Sequence, residues 1–248
     1  MTAQPLLQVD ELAAGYFGMP VVRDLSLTVG AGEVVALLGP NGAGKSTTLR
    51  ALSRLQPAMA GTIRFRGEDI TSTKPQAVAR KGLVHMSDRR GIFHGLSVEE
   101  HFRLGHGGKS LNLDTAFAYF PALQPLRHRR AGLLSGGEQQ MLGLARALAR
   151  RPSVLIVDEL SLGLAPVIVE QLLPVVRRYA TDSNAGVLLV EQHIHLALDI
   201  ADRGLVLSHG DLVLEESAEA MRADRRLIMS SYLGESPHSG ERPAQANA

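Results

Sequence analysis

Apolar residues in this chain come in short runs of about five, separated by longer stretches with helical spacing. The runs at residues 33–38, 154–158 and 186–190 are apolar at nearly every position, which suits strands buried on both faces of a parallel sheet. Shorter strands are expected at residues 6–9, 21–29, 61–66, 82–86, 204–207 and 212–215, with a turn at 15–18. Helical spacing predicts helices over 45–55, 74–80, 137–150, 166–180, 193–200 and 218–227. From 97 to about 134 the pattern turns helical and polar, broken by Gly105, Gly107, Gly108, Pro121 and Pro125. That stretch is read as a helical lobe inserted between core strands. Strands alternating with helices predict an α/β core. The Ser-, Pro- and Ala-rich residues 235–248 are expected to form a disordered tail.

Composition narrows the picture. At 248 residues and 45% apolar content the chain can bury a large core. A net charge of +1 gives no electrostatic footprint for nucleic acid. Without cysteine, disulfides and thiolate chemistry are excluded. The start, Met1-Thr-Ala-Gln-Pro-Leu, carries no basic region followed by an apolar stretch, and no run approaches a bilayer span. A soluble protein is expected, with any membrane role exercised through a partner. Two basic clusters, Arg89-Arg90 and Arg127-His-Arg-Arg130, read either as solvated faces or as docking points for such a partner.

The chemistry is concentrated in three segments. Gly39-Pro40-Asn41-Gly42-Ala43-Gly44-Lys45-Ser46, followed by Thr47, lies between an apolar run and a helical one. Its glycines let the backbone turn tightly with N–H groups aimed at phosphate oxygens. Lys45 reaches the terminal phosphates, and the Ser46 hydroxyl can ligate Mg²⁺. Lysine occurs only at 45, 74, 81 and 109 among 26 basic residues, so its place here is not compositional background. Asp158-Glu159 ends the second apolar run, at the sheet edge where α/β folds bind ligands. Asp158 would hold Mg²⁺ directly or through water, and Glu159 would polarise the water that attacks the terminal phosphate. Roughly ninety residues after the first loop, Ser135-Gly136-Gly137-Glu138 opens another helix and forms a second anion site.

These segments make the chain resemble an ABC-family ATPase subunit over almost its whole length. Within that family it is most similar to the ATP-binding subunits of branched-chain amino acid importers, the LivF-like branch. The likeness rests on Phe120-Pro121, Arg129-Arg-Ala-Gly132, Ser135-Gly-Gly-Glu-Gln-Gln-Met141, Ser161-Leu-Gly-Leu-Ala-Pro166, Val190-Glu-Gln192, Ala201-Asp-Arg-Gly204 and Ser231-Tyr-Leu-Gly234. The resemblance implies a P-loop NTPase core over residues 1–234, with an antiparallel β subdomain and an inserted α-helical subdomain at about 97–134. It implies ATP and Mg²⁺ as cofactors. It also implies integral-membrane permease subunits as partners, and a second ATPase subunit, identical or paralogous, at the cytoplasmic face of the membrane. In such pairs the signature residues Ser135, Gly136, Gly137 and Glu138 cover ATP bound by the other subunit. Tyr16 falls where an aromatic ring stacks on adenine.

Three positions depart from the wider family. Asp88 stands where a Mg²⁺-sensing Gln is usual, an acidic choice in keeping with the branch. Gln192 occupies the switch position usually held by His; it can hydrogen-bond a phosphate but cannot become cationic. Leu160 replaces the usual Pro, which is expected to loosen the loop behind Glu159. Rival readings are a related transporter ATPase for urea, amides, another solute or a lipid, and a non-transport ATPase. The second lacks support from any coiled-coil insertion or duplicated domain.

Overall fold

The computed structural model describes residues 4–87, 90–105, 110–191, 193–224 and 226. Six strands form the central sheet: β3 (Val34–Leu38), β6 (Leu83–Met86), β7 (Val154–Asp158), β8 (Gly186–Val190), β9 (Arg203–Ser208) and β10 (Asp211–Ser217). Their order is β10-β9-β3-β8-β7-β6, parallel throughout except for the β9–β10 hairpin at one edge. Side chains alternate across it. Val34, Ala36 and Leu38 enter one hydrophobic cluster, whereas Val35 and Leu37 enter another; Leu155 and Val157 part from Val154 and Ile156 in the same way. Burial on both faces is why these runs are apolar at nearly every position.

The first cluster is covered by α4 (Leu113–Tyr119), α5 (Gly136–Ala149), α6 (Pro166–Ser183), α7 (Ile194–Ile200) and α8 (Ala218–Ala223). The second is closed by α1 (Lys45–Leu52), α2 (Pro75–Lys81) and an antiparallel sheet of order β2-β1-β4-β5. That sheet comprises β1 (Leu7–Tyr16), β2 (Met19–Val29), β4 (Ala60–Phe65) and β5 (Glu68–Asp69). Between β6 and β7 lie α3 (Val98–Arg103), α4 and two short 3₁₀ turns, Pro121–Leu123 and Ala131–Leu133. This is the expected helical insertion, and a bridge between Ser97 and Arg130 closes its base.

Several element ends differ from expectation. β1 runs to Tyr16 because bulges between Val9, Leu12 and Ala14, with Glu11 at φ 49°, reset the inward face and hide the alternation. α1 stops at Leu52, not 55: Arg54 takes a left-handed φ of 61°, and Ser53 Oγ donates to Leu49 O. α6 continues three residues past 180, to an Asn184 cap at φ 51°. The expected helix over 218–227 is described as far as Ala223. The proposed tail at 235–248 lies outside the described residues, as do Asp88 and Gln192. No described helix is long and apolar enough to cross a membrane.

Candidate functional site

Parallel register gathers the chemistry at one edge. Leu37 on β3 stands opposite Val190 on β8, which in turn stands opposite Asp158 on β7. Three chain segments therefore leave the sheet side by side: the Gly39 loop, Asp158-Glu159 and Glu191. The amide of Glu159 donates to Val190 O at 3.0 Å, extending the ladder one residue beyond β7.

The Gly39 loop is shaped by its glycines. Gly39, Gly42 and Gly44 have φ of 148°, 83° and 105°. A Cβ on Gly39 would lie 2.2 Å from Leu207 O, so the loop presses directly against the β9–β10 hairpin. Ala43 O accepts from Gly210 N at 3.0 Å on the same side. Gly44 caps α1 without a side-chain hydrogen bond, leaving the first-turn N–H groups without an internal acceptor. Ser46 presents an exposed hydroxyl, while Thr47 is buried. Lys45 is only 5% exposed and donates Nζ to Gly39 O at 2.8 Å and Pro40 O at 3.0 Å. Burial lowers its pKa, and the nearby charges of Glu159 and Asp158 oppose that shift. The lysine and both carboxylates thus share one electrostatic neighbourhood.

These residues fit a magnesium triphosphate. An uncapped helix start and a lysine folded along carbonyl oxygens supply anion donors. Among the described residues no three His, Asp or Glu side chains form a metal cage. Mg²⁺ takes one or two protein oxygens together with substrate phosphates. Ser46 and Asp158 are the residues that could hold it.

Tyr16 ends β1 beside the turn Phe17-Gly18 and is 37% exposed. Its hairpin reaches the phosphate loop through Val22, whose Cγ2 lies 2.8 Å from where a Gly44 Cβ would stand. Ser135, by contrast, is not joined to this loop: among the described residues no hydrogen bond or ion pair links residues 135–138 to 39–46. Ser135 caps α5, accepting from Glu138 N at 3.3 Å, while Glu138 Oε2 accepts from Ser135 N at 2.6 Å. Ser135 and Gly136 are exposed.

Three features escaped the sequence reading. Glu191, fully buried, accepts hydrogen bonds from Ser161 N at 3.0 Å and Ser161 Oγ at 2.5 Å. Arg90 donates to Leu162 O at 3.2 Å and Gly136 O at 3.4 Å, tying the loop after β7 to the start of α5. Leu160 is fully buried in the core, so the residue standing in place of proline anchors its loop instead of loosening it. A carboxylate directly following a buried strand was the available signal for Glu191.

A family model described as ABC transporter matches residues 22–161. The chain is 36% identical to the high-affinity branched-chain amino acid transport ATP-binding protein BraG of Pseudomonas aeruginosa, over 92% of this chain and 100% of that one. It is 32% identical to the lipopolysaccharide export system ATP-binding protein LptB of Escherichia coli, over 92% and 97% of the two chains. The fold superimposes on the ADP conformation of the ATP-binding cassette MJ1267 with a TM-score of 0.81, at 23% identity and covering 94% and 100%.

Proposed function

The chain belongs to the ABC transporter ATP-binding family, whose members bind ATP with Mg²⁺ and hydrolyse it, and from that premise we propose that it energises an importer of branched-chain or other small amino acids. The observation that carries the solute class is the end-to-end similarity to BraG. In this reading the protein sits at the cytoplasmic face of the membrane on integral-membrane permease subunits, beside a second ATPase subunit. Residues 1–234 act as one ATPase domain, with the insertion at about 97–134 as its helical lobe.

The residues divide the work as follows. Backbone N–H groups of residues 39–47 and the Lys45 ammonium hold the triphosphate, and the Tyr16 ring takes the adenine. Ser46 and Asp158, with Asp88 as a further acidic ligand, would hold Mg²⁺, which would supply charge withdrawal from the phosphates. Glu159 accepts a proton from water as its oxygen bonds to the γ-phosphorus and the bond to the β–γ bridging oxygen breaks. Gln192 hydrogen-bonds the γ-phosphate. Ser135 to Glu138, at the start of α5 with Ser135 and Gly136 exposed, cover the partner subunit's triphosphate. ATP thus joins two subunits, and its cleavage lets them separate; differential affinity for the joined state is what drives motion.

Glu159→Gln keeps shape and removes the base. It should leave ATP affinity within a few-fold, lower turnover by about 10²-fold or more, and accumulate an ATP-bound dimer in light scattering. Turnover at the wild-type rate would overturn the assignment. The similarity to LptB favours one second reading, a lipid-export ATPase. Leucine-stimulated ATPase in the reconstituted permease complex supports import; stimulation by lipopolysaccharide alone supports export.

A further inference from the structure

Glu159 has a φ of 48°, in the left-handed region that a non-glycine residue keeps only where its surroundings over-determine it. Those surroundings are three fixed points. Glu159 N is held by Val190 O at 3.0 Å, Leu160 is sunk in the core, and Ser161 is gripped through both N and Oγ by Glu191. Ser161 is 5% exposed and Glu191 fully buried, so these two bonds form away from water, where a hydrogen bond is electrostatically stronger. The two anchors are Val190, the last residue of β8, and Glu191, which follows it in the segment that leads directly into position 192. The backbone turn presenting Glu159 is therefore fastened to a neighbouring strand and not to its own.

We propose that Glu191 is a positioning residue for ATP hydrolysis: its carboxylate, through Ser161, sets the backbone from which Glu159 reaches the attacking water. The inference rests on the reading of Glu159 as the base. Glu191 itself touches no reacting atom. Its loss should leave the phosphate loop intact while displacing the base, and a displacement near 1 Å is enough to slow a reaction severely.

The test uses the purified full chain with Glu191→Gln, Ser161→Ala, the double variant, and each combined with Glu159→Gln. A glutamine fills the same volume but brings an NH₂ group against two donors. In nucleotide-free protein, amide hydrogen exchange over residues 160–164 should rise at least tenfold in Glu191→Gln. The dissociation constant for a fluorescent ATP analogue should stay within threefold, while kcat falls at least tenfold. The double variant should lose little more than the worse single one, and neither change should further slow Glu159→Gln. Wild-type kcat in both Glu191→Gln and Ser161→Ala, with Glu159→Gln inactive, overturns this proposal and leaves the base assignment standing. An active Glu159→Gln overturns the base assignment instead. Equal losses in melting temperature, nucleotide affinity and kcat would make Glu191 merely structural, which also refutes the proposal. Should Glu191→Gln fail to fold, Ser161→Ala decides by the same kcat criterion.

Discussion

Replacing Lys45 by methionine separates two roles that the same ammonium plays. In the nucleotide-free protein Nζ is buried and bonded to Gly39 O and Pro40 O, with a pKa lowered chiefly by burial. Its desolvation is therefore already incurred before nucleotide arrives. Methionine fills nearly the same volume without charge. In the free protein the variant loses two charge-assisted hydrogen bonds, worth about 1.5–3 kcal/mol each, but also relieves the cost of holding an ammonium out of water. The two largely cancel, so the melting temperature should move by no more than roughly 4 °C. On ATP binding the balance changes, because phosphate oxygens replace neutral carbonyls as acceptors and the methionine cannot follow. A deficit of about 2–3 kcal/mol corresponds to roughly 30- to 150-fold weaker binding. Titration of a fluorescent ATP analogue, paired with melting curves with and without MgATP, measures both quantities. Unchanged affinity would refute the account of the loop; a collapse of the nucleotide-free protein would show that Lys45 is structural first.

Gly39→Ala places a Cβ 2.2 Å from Leu207 O at a φ of 148°, so the melting temperature should drop by roughly 5–15 °C, and a wild-type melt would show that the loop has room. His101, fully buried on α3, accepts from Phe93 N at 3.0 Å through Nε2 and donates Nδ1 to Ser97 O at 2.7 Å. Burial pushes its pKa down, aided by Arg146 and opposed by Ser97 O and Glu100; the unfolded chain then takes the proton first, so stability present above about pH 6.5 declines as pH falls through that value. His101→Gln should flatten this decline in melts between pH 7.5 and 5.5, and parallel curves would refute it. Glu99 is held at about 2, first by the Arg127 hydrogen bond, so its contribution is present above the unfolded value near 4.5 and lost as pH falls toward 2. Arg127→Ala should raise the Glu99 titration in carboxyl NMR, and an unmoved midpoint would count against the pairing.

What could be read from residues alone follows a physical division. The phosphate loop is legible because its task needs consecutive backbone N–H groups, and only a particular run of glycines lets adjacent residues present them. Asp158 and Glu159 are legible because a buried strand must end somewhere, and charged side chains mark where. Ser135 is visible for the same reason, its capping box with Glu138 being local. The inner end of β1 is not legible, because bulges between Val9 and Ala14 break the period on which strand reading depends. Nor is His101, whose Nε2 partner, Phe93 N, lies outside its helix. Glu191 and Ser161 meet across thirty positions, and neither residue type announces the other. The distinction has a consequence for mechanism. In the proposed mechanism the residues assigned to phosphate are encoded in contiguous motifs, whereas the backbone geometry around Glu159 is set by the parallel register of β3, β8 and β7 and by a carboxylate that follows a different strand. A substitution at Ser161 or Glu191 can therefore leave every motif intact and still slow the reaction. Motif content speaks to whether such a chain binds ATP; how fast it turns over depends on contacts that no motif contains.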